Sequence, residues 1–231
     1  PTEEEATLLN DYTGDKAKLG RGEQFFIEML KLPRFSAKTE GFLVKAEFDS
    51  RIAELTGSIG VLKSASQEIS QGSSLRTALQ SILHIGNFLN YGTSRGNATG
   101  FKLDALGKLK TTKATNETKI TLLQYLAMFL ESREGEKAKA AKLDEDYPSL
   151  AEALRLSFNQ ISDDIAKLLT KLQGIDREVA AGKSEPESQE WSEKMSTFVG
   201  RAKVELQKNR DLLEQVIADI SLVMKKYAVD S

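Results

Sequence analysis

Apolar side chains at Phe48, Ile52, Leu55, Ile59, Leu62 and Ile69 recur at alternating steps of four and three, with Ser66 out of pattern. A second series, Leu154, Phe158, Ile161, Ile165, Leu168, Leu172, Ile175 and Val179, keeps the same rhythm. Such spacing lays one apolar stripe along a helix and is the seam of a coiled coil or bundle. Stripes of that length need helical partners to leave water. The chain is therefore expected to be all-α: an elongated helical bundle or rod with one globular subdomain and long antiparallel, coiled-coil-like helices.

The partner helices can be read in turn. Thr2 and Glu5 fit a capping box ahead of Leu8 and Leu9, each satisfying a backbone donor of the first turn. Residues 21–32 place Phe25, Phe26, Met29 and Leu30 on one side and stop at Pro33. Residues 121–134 carry Leu122, Leu123, Tyr125, Leu126, Met128, Phe129 and Leu130 around most of the circumference, which predicts a buried helix at the centre of a globular part. Pro148, with Ser149 and Glu152 as capping partners, is expected to open the second long series as a rod of roughly 50 Å at 1.5 Å per residue. Residues 182–187 break it, and Ser184 with Glu187 predicts the cap of a last helix bearing Trp191, Met195, Phe198, Ala202, Leu206, Leu213, Val216, Ile220, Val223 and Tyr227. No alternating stretch and no Asn-Gly or Asp-Gly turn competes for a strand.

Composition removes several function classes. A formal charge of −2 over 231 residues excludes a generally basic nucleic-acid binder but leaves room for a local basic patch. There is no cysteine, hence no disulfide and no thiolate metal site. The longest apolar stretches fall far short of the roughly 20 residues that cross a bilayer. The only histidine, His84, lies between Leu83 and Ile85, where a half-buried packing role is expected; a multi-histidine metal site is impossible. The acidic runs Asp144-Glu145-Asp146 and Asp163-Asp164 read as solvated helix ends and faces, because adjacent helical residues do not face each other. The Gly92–Gly100 loop lacks the Gly-Lys-Ser/Thr ending of a phosphate loop. No enzyme, cofactor or metal is expected.

One segment departs from the helical pattern. The run Leu75, Leu79, Ile82, Leu83 ends at Gly86, and glycines follow at 92, 96 and 100 before Leu103 resumes an apolar stretch. Glycine serves where the backbone needs positive φ or where another chain must come close. From Gly86 to Lys119 the cations Arg95, Lys102, Lys108, Lys110, Lys113 and Lys119 face only Asp104 and Glu117, a net of +4. With Tyr91 and Phe101 expected to be exposed, this is a candidate docking surface for an acidic partner.

The same residues carry a resemblance. Ile82-Leu83-His84-Ile85-Gly86-Asn87-Phe88-Leu89-Asn90-Tyr91-Gly92, then Arg95-Gly96, Ala98, Gly100-Phe101-Lys102-Leu103, Leu106, Lys108-Leu109, Lys113 and Thr121-Leu122-Leu123-Gln124-Tyr125-Leu126 closely resemble the signature of the formin homology 2 domain. Pro1-Thr2-Glu3-Glu4-Glu5, Leu8 to Tyr12, Gly14-Asp15, Glu23-Gln24-Phe25-Phe26 and Pro33-Arg34 extend the match towards the N-terminus. Thr111 and Ala114 depart from the usual Asp and Ser around the lysine, and Tyr227-Ala228-Val229-Asp230 is a weak form of the closing motif.

The resemblance implies a non-enzymatic, all-helical, cytoplasmic actin-cytoskeleton module that nucleates unbranched filaments and rides processively on barbed ends. Each subunit runs lasso, linker, knob, coiled coil and post, and two close head to tail when the lasso of one encircles the post of the other. Residues 1–47 correspond to the C-terminal part of the knob. Residues 48–72 and 183–231 correspond to the long-helix region continuing into the post, and residues 73–182 to the post. Gly86, Asn87, Asn90, Gly92, Arg95, Gly96, Ala98, Gly100, Phe101 and Lys102 would shape the lasso-receiving surface, while Lys113, with Lys108 and Lys110, would contact actin. The match begins inside the knob, so this fragment alone is expected to be a monomer, and profilin would be reached only through a proline-rich region that a sequence with four prolines lacks. A helical scaffold or coiled-coil adaptor for another acidic protein is the alternative that the heptads leave open.

Overall fold

The computed structural model describes residues 2–113, 119–132 and 143–227, and every element among them is helical. Among the described residues the one ladder pairing is an isolated antiparallel bridge between Lys113 and Thr121. Pro1, Ala114, Glu117, Glu134 and Ala228-Val229-Asp230, all named above, lie outside the described residues, as does the side chain of Asp144. The elements are α1 (Glu3–Asn10), a 3-10 turn (Lys16–Lys18), α2 (Arg21–Leu30), α3 (Phe35–Gln71), α4 (Ser73–Leu89), a 3-10 segment (Leu103–Lys110), α5 (Leu122–Glu131), α6 (Leu143–Asp146), α7 (Leu150–Ala153), α8 (Phe158–Gly182), a 3-10 turn (Pro186–Ser188) and α9 (Gln189–Lys226). Two compact units result, Pro1–Thr56 with Asn159–Arg210, and Gly57–Phe158 with Asp211–Ser231.

In the first unit the predicted box holds: the Glu5 N–H donates to Thr2 Oγ1 at 3.2 Å and the Thr2 N–H to Glu5 Oε2 at 2.8 Å. On α2 the buried side chain is Ile27 rather than Phe25, whose ring stays largely exposed with its centroid 6.2 Å from that of Phe26. The stripes of α3, α8 and α9 supply the core. Phe48, Leu172, Met195 and Ala202 are completely buried, and Phe48 meets Phe198 edge to face at 5.5 Å. Gly41 lets α3 approach, since a Cβ there would lie 2.9 Å from the Trp191 ring and 3.2 Å from the Met195 methyl.

Arg34 ties the entry of α3 to the end of α8 and the turn that follows. Its backbone is left-handed (φ 54°), its Nε donates to Glu178 at 2.5 Å, and its two Nη atoms grip Glu185 at 2.5 and 2.8 Å. Those hydrogen bonds, with a further one from Ser188, hold the Glu185 carboxyl below the usual glutamate range. A depressed carboxylate adds stability above its unfolded pKa and loses it as pH falls through the folded value. Thermal melting points are therefore expected to fall as pH drops below about 4, and Glu185→Gln to flatten that dependence. Equal slopes for the two proteins would contradict this.

Two readings of this region are corrected. The rod from Pro148 does not form: α7 ends at Ala153, Leu154 is 80% exposed, and α8 begins only at Phe158. Ser149 makes no side-chain cap; its N–H donates instead to Glu68 Oε2 at 3.1 Å. Ser184 likewise turns its hydroxyl back to the Ala181 carbonyl, and Glu185 rather than Ser184 precedes the 3-10 turn.

In the second unit a small core of Ala78, Leu109, Leu126 and Leu130 is joined by Ile82, Ile85, Leu106, Leu122, Phe129 and Leu143. The α3–α4 turn is pinned from several sides. The Leu75 N–H donates to the Tyr147 hydroxyl at 3.1 Å, and the Ser74 hydroxyl donates to Asp146. Lys226 Nζ and the Tyr227 hydroxyl donate to the Ser70 and Ile69 carbonyls, satisfying acceptors that a helix end leaves open. Ser66, out of pattern in the stripe, is buried like its apolar neighbours. The expectation for α5 is half wrong: Leu126 and Leu130 are buried, but Tyr125 and Met128 are more than half exposed. Among the described residues this ten-residue helix packs on one side against α4 and the 3-10 segment, and Tyr125 and Met128 lie on its other flank. His84 is exposed rather than half-buried, because it lies off the Ala78–Ile82–Ile85 stripe.

Candidate functional site: a glycine-framed surface and its lysines

The end of α4 and the loop after it fold on two asparagines. Asn87 Nδ2 donates to the Ala98 carbonyl at 2.9 Å and its Oδ1 accepts from the Ala98 N–H at 2.8 Å, so one side chain replaces a strand neighbour. Asn90 ends the helix: its backbone N–H and its Nδ2 both donate to the Gly86 carbonyl, at 3.1 and 2.8 Å. The Asn90 carbonyl then accepts from the Thr93 N–H (3.1 Å) and the Thr93 hydroxyl (2.8 Å), and the Thr93 carbonyl accepts from the Gly96 N–H at 3.1 Å. Such side-chain bonds are how Asn and Thr stabilise irregular backbone.

The four glycines divide into two kinds. Gly92 has φ +75°, a conformation that costs other residues strain, and a Cβ on Gly96 would stand 2.6 Å from the Asn90 carbonyl oxygen. Those two shape the loop. Gly86 and Gly100 have ordinary φ, and among the described residues, local helix backbone apart, nothing lies within 4 Å of where a Cβ would be. Neither a positive φ nor a close neighbour among the described residues accounts for their smallness.

Around this frame the surface is unusually apolar. Phe88, Leu89 and Tyr91 are 81%, 60% and 84% exposed. Phe101 is only half-buried, less open than expected, while Arg95, Ala98 and Lys102 are exposed. The sequence reading did not single out Phe88 or Leu89 for exposure. The signal was there for Phe88, which falls off the Ala78–Ile82–Ile85 stripe; Leu89 stays in phase with the stripe but takes no part in the small core.

The lysines are placed by neighbouring elements. Lys108 and Lys110 flank buried Leu109, which fixes both outward, and Lys113 is held opposite Thr121 by the antiparallel bridge, with the Leu122 N–H donating to the Thr112 carbonyl at 2.8 Å. All three are exposed, and among the described residues no carboxylate comes within ion-pair distance of them. Thr121 caps α5 through a full box with Gln124, so the bridge sits on an ordered helix start. No group of three His, Asp or Glu side chains among the described residues is placed to hold a metal ion, and no described helix is long and apolar enough to cross a membrane.

Residues 1–231, the whole chain, match the family model of the Formin Homology 2 Domain. The chain belongs to the formin homology 2 family. It is 36% identical over 207 residues to formin-like protein 20 of Arabidopsis thaliana, covering 89% of this chain and 12% of that protein. It is 35% identical over 234 residues to formin-like protein 5 of Oryza sativa subsp. japonica, covering all of this chain and 14% of that protein. Formin-like protein 14 of Arabidopsis thaliana is 37% identical over 185 residues, 80% of this chain and 15% of its own length. The chain thus spans about an eighth to a seventh of the length of these formin relatives.

Proposed function

We propose that this formin homology 2 chain is an actin-binding module without catalytic activity, acting at the cytoplasmic actin cytoskeleton. The intact domain nucleates unbranched filaments and stays on elongating barbed ends as a head-to-tail dimer. Residues 1–47 are read as the C-terminal part of the knob, 48–72 and 183–231 as the coiled-coil or long-helix region continuing into the post, and 73–182 as the post. The lasso of one subunit encircles the post of the other at Gly86, Asn87, Asn90, Gly92, Arg95, Gly96, Ala98, Gly100, Phe101 and Lys102. Lys113, with Lys108 and Lys110, grips actin.

The observation that carries this reading is the openness of Gly86 and Gly100 beside exposed Phe88, Leu89 and Tyr91. Two small residues without an internal neighbour, set in an apolar surface held rigid by Asn87 and Asn90, suit the close approach of another chain. Lysines without a carboxylate partner among the described residues suit an acidic polymer.

Actin co-sedimentation and barbed-end elongation with Lys113→Asp test the assignment in the full-length protein. Reversing one charge at a contact is expected to weaken binding about tenfold, more so at low salt. If wild type and variant bind and elongate alike, Lys113 is no contact; if neither binds actin, the module serves another acidic partner.

A further inference from the structure

We propose that Tyr125 and Met128 form an apolar anchor beside Lys113, so that α5 and the adjoining lysine together contact one actin subunit. The proposal rests on the actin reading above and adds residues to its binding face.

The geometry begins at the bridge that sets Lys113 opposite Thr121. Thr121 is the cap of α5, and the Tyr125 N–H donates to its carbonyl at 2.9 Å, one helical turn on. At 100° per residue, Thr121, Tyr125, Met128 and Ser132 fall within a sector of about 60°. Leu122, Leu126, Phe129 and Leu130 lie on the side turned to the core. The flank that starts at Lys113 therefore continues along the helix as Tyr125 and Met128, which are 52% and 57% exposed. Among the described residues the Tyr125 hydroxyl has no hydrogen-bond partner. Lys108 and Lys110 project from a segment packed on the same small core, so cations and apolar pair belong to one body.

The chemistry of the flank selects its occupant. A tyrosine offers a large rigid apolar face with a polar tip, and a methionine adapts to an irregular recess; both types are enriched at protein interfaces. Exposed lysines at the edge of the pair favour an acidic surface and disfavour another basic one. An apolar centre with a charged rim is the arrangement in which a few residues carry most of the affinity. A lysine alone would give binding that fades with salt, whereas a buried Tyr–Met pair gives binding that salt does not screen.

The test uses the full-length protein with Tyr125→Ser/Met128→Ser, Tyr125→Phe and Lys113→Asp, each checked by thermal melting and sedimentation. Both changed side chains are exposed, so folding is expected to survive. Affinity for actin barbed ends should fall at least tenfold in the double variant at every salt concentration, stay near wild type in Tyr125→Phe, and fall in Lys113→Asp only at low to moderate salt. Wild-type binding by the double variant overturns the anchor and leaves the lysine reading standing. Loss of binding in Lys113→Asp alone has the same meaning. If the double variant weakens binding while Lys113→Asp does not, the anchor stands and the lysine assignment falls. A double variant that weakens the dimer instead of actin binding assigns the flank to a second copy and overturns the proposal.

Discussion

Gly86→Phe is expected to leave the second unit as stable as the wild type, or slightly more so, while abolishing head-to-tail assembly of the full-length protein. The two halves of that result have separate causes. Gly86 lies inside α4, where glycine costs about 1 kcal/mol relative to alanine and phenylalanine roughly half that. Among the described residues no atom outside the helix's own backbone stands within 4 Å of the added Cβ, so the first side-chain carbon enters without a clash. A chain crossing the bare surface beside Phe88 and Leu89 would instead meet a ring. A dimer dissociation constant raised at least a hundredfold, about 2.7 kcal/mol, is the expected size. Gly96→Val should behave in the opposite way. Its Cβ would press on an Asn90 carbonyl that already holds two Thr93 donors and cannot retreat, so the loop itself opens. Analytical ultracentrifugation gives the first effect and amide exchange at Thr93 and Gly96 the second. A Gly86→Phe protein that assembles normally would remove the main support for the encircled-post reading.

Most of the fold follows from periodicity, and the failures have local causes. The stripes of α3, α8 and α9 were readable because long helices bury one continuous side, so phase alone decides which residues go in. Even Ser66 obeyed its phase against its polarity. Short elements gave way to their surroundings. On α5 the apolar residues spread over more circumference than its neighbours could cover, and pattern cannot tell a buried helix from one left half open for a partner. At Pro148 the heptad rhythm ran across a break, because the chain leaves the helix between Ala153 and Phe158 while keeping its spacing. The candidate surface was legible as composition, four glycines and an excess of lysine. Which glycines serve the loop and which leave open space was not, since that depends on the Asn87–Ala98 and Asn90–Thr93 bonds, pairings that only the folded backbone creates.

Phe48→Ala should cost the first unit about 3–5 kcal/mol, and Phe25→Ala almost nothing. The two residues are the same type in neighbouring helices, so hydrophobicity alone predicts equal losses. Phe48 has no exposed surface and lies edge to face on Phe198 at 5.5 Å, in a core where Leu172, Met195 and Ala202 are also completely buried. Removing the ring forfeits its transfer energy and the aromatic pair, and it leaves a cavity between long helices that cannot shift at one position without shifting over several turns. Phe25 keeps 60% of its surface in water, its ring centroid 6.2 Å from that of Phe26. For a chain of this size the expected loss lowers the melting temperature by about 6–20 °C, readable by calorimetry. Phe48→Leu should fall between, because it fills most of the volume but gives up the ring edge. A drop of less than about 2 °C in Phe48→Ala would mean that this core relaxes around missing volume. The three long stripes would then act as a loosely matched apolar layer, and the close approach that Gly41 permits would no longer matter for stability.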